Sequence, residues 1–516
     1  MSISSNERIA VATVFGTVAA ILTATSVVIS QSPLFETPTL ICGVSLSLLC
    51  SGITLAWAAI LYQLISAAVR VYVLSRQRDI WLPRDIEERI GAAILLCTRD
   101  DWVEDTAIAC LQAMGCQDYL YICDDSQSAH FKQKVTDFAK NHDHICRVVR
   151  RPSLKGYKAG NLNNCIAQMD RRYDYICIVD HDNLIHPATL DRGVRILETD
   201  RDIPFVQFSL RTATRDRVGF QRWIDLSCEI MWWVQIIRGR FGLPTCCGHS
   251  VVFRVTMVTE VGGFPETLTE DLAITLKFLA HGWLGHYDDK LTCMESLPGN
   301  YSRFRARHVR WSIGTVQSWL RRDIFRVHNA SWLLVDGSLQ ALTLLYPIPT
   351  TLVAFGWSFY SAYAVGADRL WEGVVTVTAI MTIVSSFVPI ILNARNSRQA
   401  IRNLIFLPLL YLSLIVPTII AIFIWAVGGP TVYNNTGNQT DVDQEKASGI
   451  FGPNGYIIRA GEVSLALWII VHLGVVGPLG ILILIGCCSG ICLGLASNRT
   501  KLRDSAFHAS GGARGR

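Results

Sequence analysis

The chain has 516 residues, half of them hydrophobic and only 17% charged, which leaves room for one catalytic domain plus a membrane part. Its formal net charge of +5 is too small to mark a nucleic-acid binder. Its 16 cysteines lack paired metal-ligand spacing and read as reduced, structural thiols.

Two uncharged apolar runs, 9–30 and 40–69, open the chain. Each is long enough to cross a bilayer, and together they read as a membrane hairpin, not a removed signal. Charge returns over 83–326. Apolar runs at 91–97, 119–123, 175–179 and 204–210 alternate with helical patterns such as 102–114. Short buried strands alternating with helices imply a mainly parallel sheet. Ligands of such sheets sit beyond the carboxyl ends of the strands.

Four constellations fall at those places. Asp124-Asp125 ends the second strand; a carboxylate there can accept hydrogen bonds from a base or ribose, although Asp-Asp-Ser is also ordinary turn chemistry. Asp180-His181-Asp182 ends the third. Two carboxylates one residue apart can hold Mg²⁺ or Mn²⁺ against a diphosphate, with His181 as the spacer. Thr269-Glu270-Asp271 opens a helical run. Glu270 suits the helix dipole, and Asp271 can serve as a base toward an attacking hydroxyl. In Arg307-His308-Val309-Arg310-Trp311 the two arginines share a helical face and can grip a diphosphate. Trp311 offers a flat surface to a sugar ring; a basic aromatic helix at a membrane surface is the plainer alternative.

Four more spans are expected at 340–365, 373–392, 404–427 and 463–496. Arg395, Arg398 and Arg402 sit between the fourth and fifth spans, and the tail carries Arg499, Lys501, Arg503, Arg514 and Arg516. The loop over 31–39 has no Lys or Arg, and Asp441, Asp443 and Glu445 precede the last span. The positive-inside rule then puts both termini and the central domain in the cytosol. Asn434 and Asn438 each begin an Asn-x-Thr sequon on the outer side.

In this order, and between two membrane blocks, these segments resemble the processive family-2 glycosyltransferases: cellulose synthases, hyaluronan synthases and related fungal and bacterial polysaccharide synthases. The resemblance covers about 92–311. It extends to Lys158-Ala159-Gly160-Asn161-Leu162-Asn163, Phe205-Val206-Gln207, Cys247-Gly248 and Gly262-Gly263-Phe264. It implies a glycosyltransferase-A-like α/β domain, with helices on both faces of the sheet, inserted between transmembrane helices. The implied organisation is a hairpin over 1–75, a cytosolic domain over 83–326, four spans over 327–496 and a basic tail over 497–516. Asp124 or Asp125 would bind the uridine of a UDP-sugar, with Lys158 near the nucleotide. Asp180 and Asp182 would hold metal and diphosphate. Asp271 would be the base of an inverting transfer, Arg307 and Arg310 would bind the diphosphate, and Trp311 would stack on the acceptor sugar. The growing polysaccharide would leave through the spans, with the helical stretch 223–237 as an interface helix below them. The plasma membrane is the expected location, with the Golgi as alternative.

Two features depart from the family pattern. Many relatives have Gln where this chain has Arg307, and the short, basic, Gly-rich tail after Ala496 resembles no regulatory domain, just as no segment between the later spans matches a gating loop. The alternative reading is transfer of one sugar to a membrane lipid, as in a glucosylceramide synthase. UDP-glucose, UDP-N-acetylglucosamine and UDP-glucuronate remain open as donors.

Overall fold

The computed structural model describes residues 40–74, 90–213, 220–240, 242–321, 346–363, 369–394, 396–427, 456–471, 481 and 483–494. The expected span over 9–30, Arg395, the sequons with their acidic loop, and the basic tail lie outside the described residues. In chain order the helices are α1 (Leu40–Leu74), α2 (Glu104–Ala113), α3 (Ala129–Asn141), α4 (Tyr157–Gln168), α5 (Thr189–Thr199), α6 (Gln221–Gly239), α7 (Val255–Glu260), α8 (Glu270–Ala280), α9 (Tyr301–Leu320), α10 (Pro347–Tyr363), α11 (Arg369–Asn393), α12 (Ser397–Leu412), α13 (Ile415–Ala426), α14 (Tyr456–Val471) and α15 (Ile483–Gly494). The strands are β1 (Ala92–Thr98), β2 (Tyr119–Asp124), β3 (Cys146–Val149), β4 (Tyr175–Asp180), β5 (Asn183–Leu184), β6 (Phe205–Thr212), β7 (Val251–Arg254) and β8 (His286–Glu295).

The strands form one sheet in the order β3-β2-β1-β4-β7-β6-β8-β5. Every residue of β1 is buried, as expected of a strand covered on both faces. Its alternate side chains feed two cores. Ile94 and Leu96 pack with Cys110, Phe138 and Val194 of α2, α3 and α5. Ala93 and Leu95 pack with Leu162, Ile274 and Phe278 of α4 and α8. Four of the seven strand pairings are parallel, and the antiparallel ones involve β7 or β5. The sheet is therefore mixed, with its parallel side carrying the expected strand ends.

Among the described residues, three helical stretches are long and apolar enough to cross a membrane: Val44–Ile65, Arg369–Leu392 and Ser397–Ala426. The third contains a break, because α12 and α13 meet at Ser413 and Leu414. Pro417 has no N–H to continue the ladder there. The run expected over 463–496 starts earlier, at Tyr456, and α14 and α15 are its described parts. Glycines set the closest crossing. A Cβ on Gly52 would lie 2.7 Å from the Val353 amide nitrogen, and one on Gly356 would lie 2.6 Å from that of Leu49. Small residues thus let α1 and α10 touch backbone to backbone. Below them, Ile224 of α6 and Phe304 of α9 pack against Leu407 and Leu410 of α12, so α6 and α9 lie between the sheet domain and the membrane helices.

Candidate functional site

The strand register gathers the first carboxylates. β1 pairs Thr98 with Asp124 on one side and Cys97 with Asp180 on the other, so both acids reach the same edge. Asp124 accepts from Arg150 Nε at 2.7 Å and from the Ser126 amide at 2.9 Å. Asp125 is gripped bidentately by Arg151, at 2.8 and 2.7 Å. Both arginines escaped the sequence reasoning. Arg151 also donates to the carbonyls of Lys155 and Tyr157, and so shapes the turn that delivers Lys158. That turn needs a left-handed backbone, with φ +80° at Gly156 and +54° at Tyr157. A side chain at Gly156 would also meet Glu266 at 2.7 Å.

Lys158 is the hub of the site. Its Nζ lies 2.5 Å from Asp180 Oδ1 and 3.7 Å from Glu270 Oε1, and donates to the Gly248 carbonyl at 2.9 Å. Burial opposes its charge, but Asp180 and Glu270 outweigh burial and hold the ammonium well above its ordinary pKa. Burial likewise opposes the Asp180 charge, and Lys158 with His249 overcomes it, keeping that carboxyl below its usual range.

His181 is more than a spacer. It is buried, and its Nδ1 lies 3.1 Å from Asp101 Oδ2. Asp101 is itself fixed by the Thr98 hydroxyl at 2.8 Å and the Arg99 amide at 2.7 Å. Thr106 donates to the His181 carbonyl at 2.7 Å. The turn between Asp180 and Asp182 is therefore tied to the ends of β1 and α2. Asp101 follows β1 as Asp125 follows β2, so the strand-end argument could have found it.

Glu270 and Asp271 open α8 beside Lys158 and the Gly248 turn. Glu270 does more than match a helix dipole: it is 7% exposed, and burial pushes its carboxyl up to about 7, with Lys158 opposing and Asp271 adding to the shift. Burial also raises Asp271, while the Leu272 amide, Lys158, His249 and Arg310 favour its charge. Gly314 lets α9 press on the start of α8, since a Cβ there would lie 2.7 Å from the Thr269 amide nitrogen. Arg307, Arg310 and Trp311 of α9 face the same cavity. The Arg307 guanidinium stacks over the Trp311 ring at 4.7 Å, a favourable cation–π contact.

All the expected site residues except Asp124 line this one cavity of about 770 Å³. It continues past α1 at Ala56 and Tyr62, α10 at Thr350, α11 at Ser385 and α12 at Leu407. Among the described residues, seven carboxylates line it against four Lys and Arg side chains. Among the described residues no group of three or more His, Cys, Asp or Glu side chains could hold a metal ion alone. Asp180 and Asp182 fit a hard divalent cation that takes its other oxygens from phosphates and water. The Lys158 ammonium against Asp180 shows that this carboxylate accepts a positive neighbour.

Residues 175–428 match the sequence model described as "Glycosyl transferase family group 2". Among curated relatives, the glucomannan 4-beta-mannosyltransferase 1 of Oryza sativa subsp. japonica is 29% identical over 171 residues, 32% of this chain and 32% of that one. A UDP-forming cellulose synthase of Dictyostelium discoideum, its catalytic polypeptide, is 24% identical over 243 residues, 45% of this chain and 21% of that one. Hyaluronan synthase 2 of Bos taurus is 20% identical over 246 residues, 45% of this chain and 43% of that one. The chain thus spans less than half the length of each. Among solved structures, a mannosyltransferase from Pyrobaculum calidifontis, in complex with GDP-Man and Mn²⁺, aligns with a TM-score of 0.46 at 16% identity, covering 67% of this chain and 97% of that one.

Proposed function

From the premise that this chain carries a family-2 glycosyltransferase domain and is a membrane protein, we propose that it polymerises sugar from a UDP-sugar into a β-linked polysaccharide and passes the product across the membrane. What supports this reading is the single cavity that joins the carboxylates at the sheet edge to the membrane helices. The uridine binds beside Asp125, which lines the cavity, with Lys158 near the nucleotide. The diphosphate lies against Asp180 and Asp182, which would hold Mg²⁺ or Mn²⁺; the bound ion would neutralise the diphosphate charge facing these carboxylates. Arg307 and Arg310 grip the diphosphate. Trp311 stacks on the acceptor sugar with the face that Arg307 does not cover.

Asp271 takes the proton of the acceptor hydroxyl as that oxygen attacks the anomeric carbon. The bond from that carbon to the diphosphate breaks, UDP departs, and configuration inverts. A carboxyl raised by burial is a better base than an exposed one. The proposed organisation is the hairpin over 1–75, the cytosolic domain over 83–326, four spans over 327–496 and the tail over 497–516, in the plasma membrane.

The test is incubation of purified full-length protein in detergent with radiolabelled UDP-sugars and Mg²⁺ or Mn²⁺, followed by sizing and enzymatic digestion of the product. A long β-linked polymer is expected. A product of one sugar on a lipid would replace polymerisation with the single-transfer reading. Cysteine-accessibility mapping tests the orientation, and exposure of the residues around Asp180 on the outer face would overturn it.

A further inference from the structure

Three side chains that line the cavity, Glu295, His249 and Arg307, each keep a buried polar atom without a hydrogen-bond partner among the described residues, and of the three the proposed chemistry uses only Arg307. Glu295 ends β8, and the register pairs it with Asn183, the residue after Asp182. It is 8% exposed and lines the cavity. Its Oε1 has no hydrogen-bond partner among the described residues. Burial raises its pKa, with His249 and Arg307 opposing and Asp182 adding. Arg307 is also 8% exposed. Neither Arg307 Nε nor His249 Nδ1 has a hydrogen-bond partner among the described residues, and both side chains line the same cavity. Buried groups of this kind are normally satisfied. Three around one space point to a ligand that completes them.

We propose that Glu295, His249 and Arg307 form a hydroxyl-reading subsite for the transferred sugar, and that this subsite takes a neutral hexose ring and rejects a uronate. The inference rests on the reading of the cavity as a sugar-nucleotide site. An ionised carboxylate only accepts, and a guanidinium only donates. A ring hydroxyl does both, so adjacent hydroxyls can serve Glu295 and Arg307 together. A uronate brings a carboxylate with no proton to give. It would stand beside Glu295 and Asp182 in a cavity where carboxylates already outnumber Lys and Arg seven to four. Like charges that close disfavour each other. Glu295 is then a specificity-determining residue, placed by the pairing of β8 with β6 and β5 and not by any local motif.

The experiment is displacement of radiolabelled UDP from the full-length purified chain, with Mg²⁺, by UDP, UDP-glucose, UDP-N-acetylglucosamine and UDP-glucuronate. In the wild type at least one neutral donor should bind about 10-fold or more tighter than UDP-glucuronate, the scale of a hydrogen bond to a charged group. Glu295→Gln should weaken that donor by about 10-fold and shrink the neutral-to-uronate ratio, with UDP affinity held. Glu295→Asp keeps the charge but withdraws it by one methylene; it should lower the same ratio and covers the case in which the Gln variant does not fold. UDP-glucuronate binding as tightly as the best neutral donor would overturn the inference. So would an unchanged ratio in the folded variants. UDP failing to bind at all would instead remove the sugar-nucleotide reading, and this subsite with it.

Discussion

Arg305 and Glu462 offer a quantitative test of how α9 is fastened to α14. They are 2% and 1% exposed. Arg305 Nη1 lies 3.0 Å from Glu462 Oε1, and both terminal nitrogens lie 3.2 Å from Oε2. Arg305 sits on α9, which also carries Arg307, Arg310 and Trp311; Glu462 sits on α14. Gly490 of α15 makes the room, since a Cβ there would lie 2.9 Å from Glu462 Oε1. Beside the pair, Tyr301 donates to Ser413 at 2.8 Å. Removing one partner leaves a buried charge uncompensated, at a cost of about 3–5 kcal/mol, whereas replacing both with apolar residues of similar size is near neutral. Arg305→Met and Glu462→Leu should each lower stability by about 3–5 kcal/mol, and the double variant should recover most of that loss. Thermal unfolding in detergent measures the cycle, and turnover of the same samples reports whether α9 still presents its site residues. Single variants within about 1 kcal/mol of wild type, the range of an exposed pair, would refute the argument. So would a double variant whose losses simply add.

Asp271→Asn should bind UDP almost normally and lose about 10²- to 10⁴-fold in polymer formation; initial rates that stay above about a tenth of wild type would move the base elsewhere. Asp182→Ala should abolish turnover in a protein that still folds, and EDTA should do the same to wild type reversibly; full activity in saturating EDTA would dismiss the metal. Burial pushes the Glu270 carboxyl up to about 7 from an ordinary 4.5, so folding favours its protonated form. Its contribution is complete at pH below 4.5 and is lost as pH rises through about 7. The melting temperature of wild type should therefore fall relative to Glu270→Gln between about pH 5 and pH 8, and a difference of the opposite sign would show that Lys158 outweighs burial.

Much of the site was legible because its signals are local. An apolar run followed by a carboxylate marks a strand end, and that placed Asp124, Asp125, Asp180 and Asp182 on one edge. Helical spacing put Arg307, Arg310 and Trp311 together on α9, and all three line the cavity. What the sequence hid depends on pairing across long stretches of chain. β7 enters antiparallel beside β4, and β8 brings Glu295 opposite Asn183, next to Asp182, through its pairing with β6 and β5. The bond from Arg151 to Asp125, the tie from Asp101 to His181, and the pair of Arg305 with Glu462 have no periodicity to announce them. Each joins charges distant in sequence, and only packing decides which charge is buried and which partner answers it. The sequence alone determined which residues have the chemistry; the tertiary structure decided which of them are buried in the same cavity, because burial is what turns Glu270 from a helix-end acid into a raised carboxyl against Lys158.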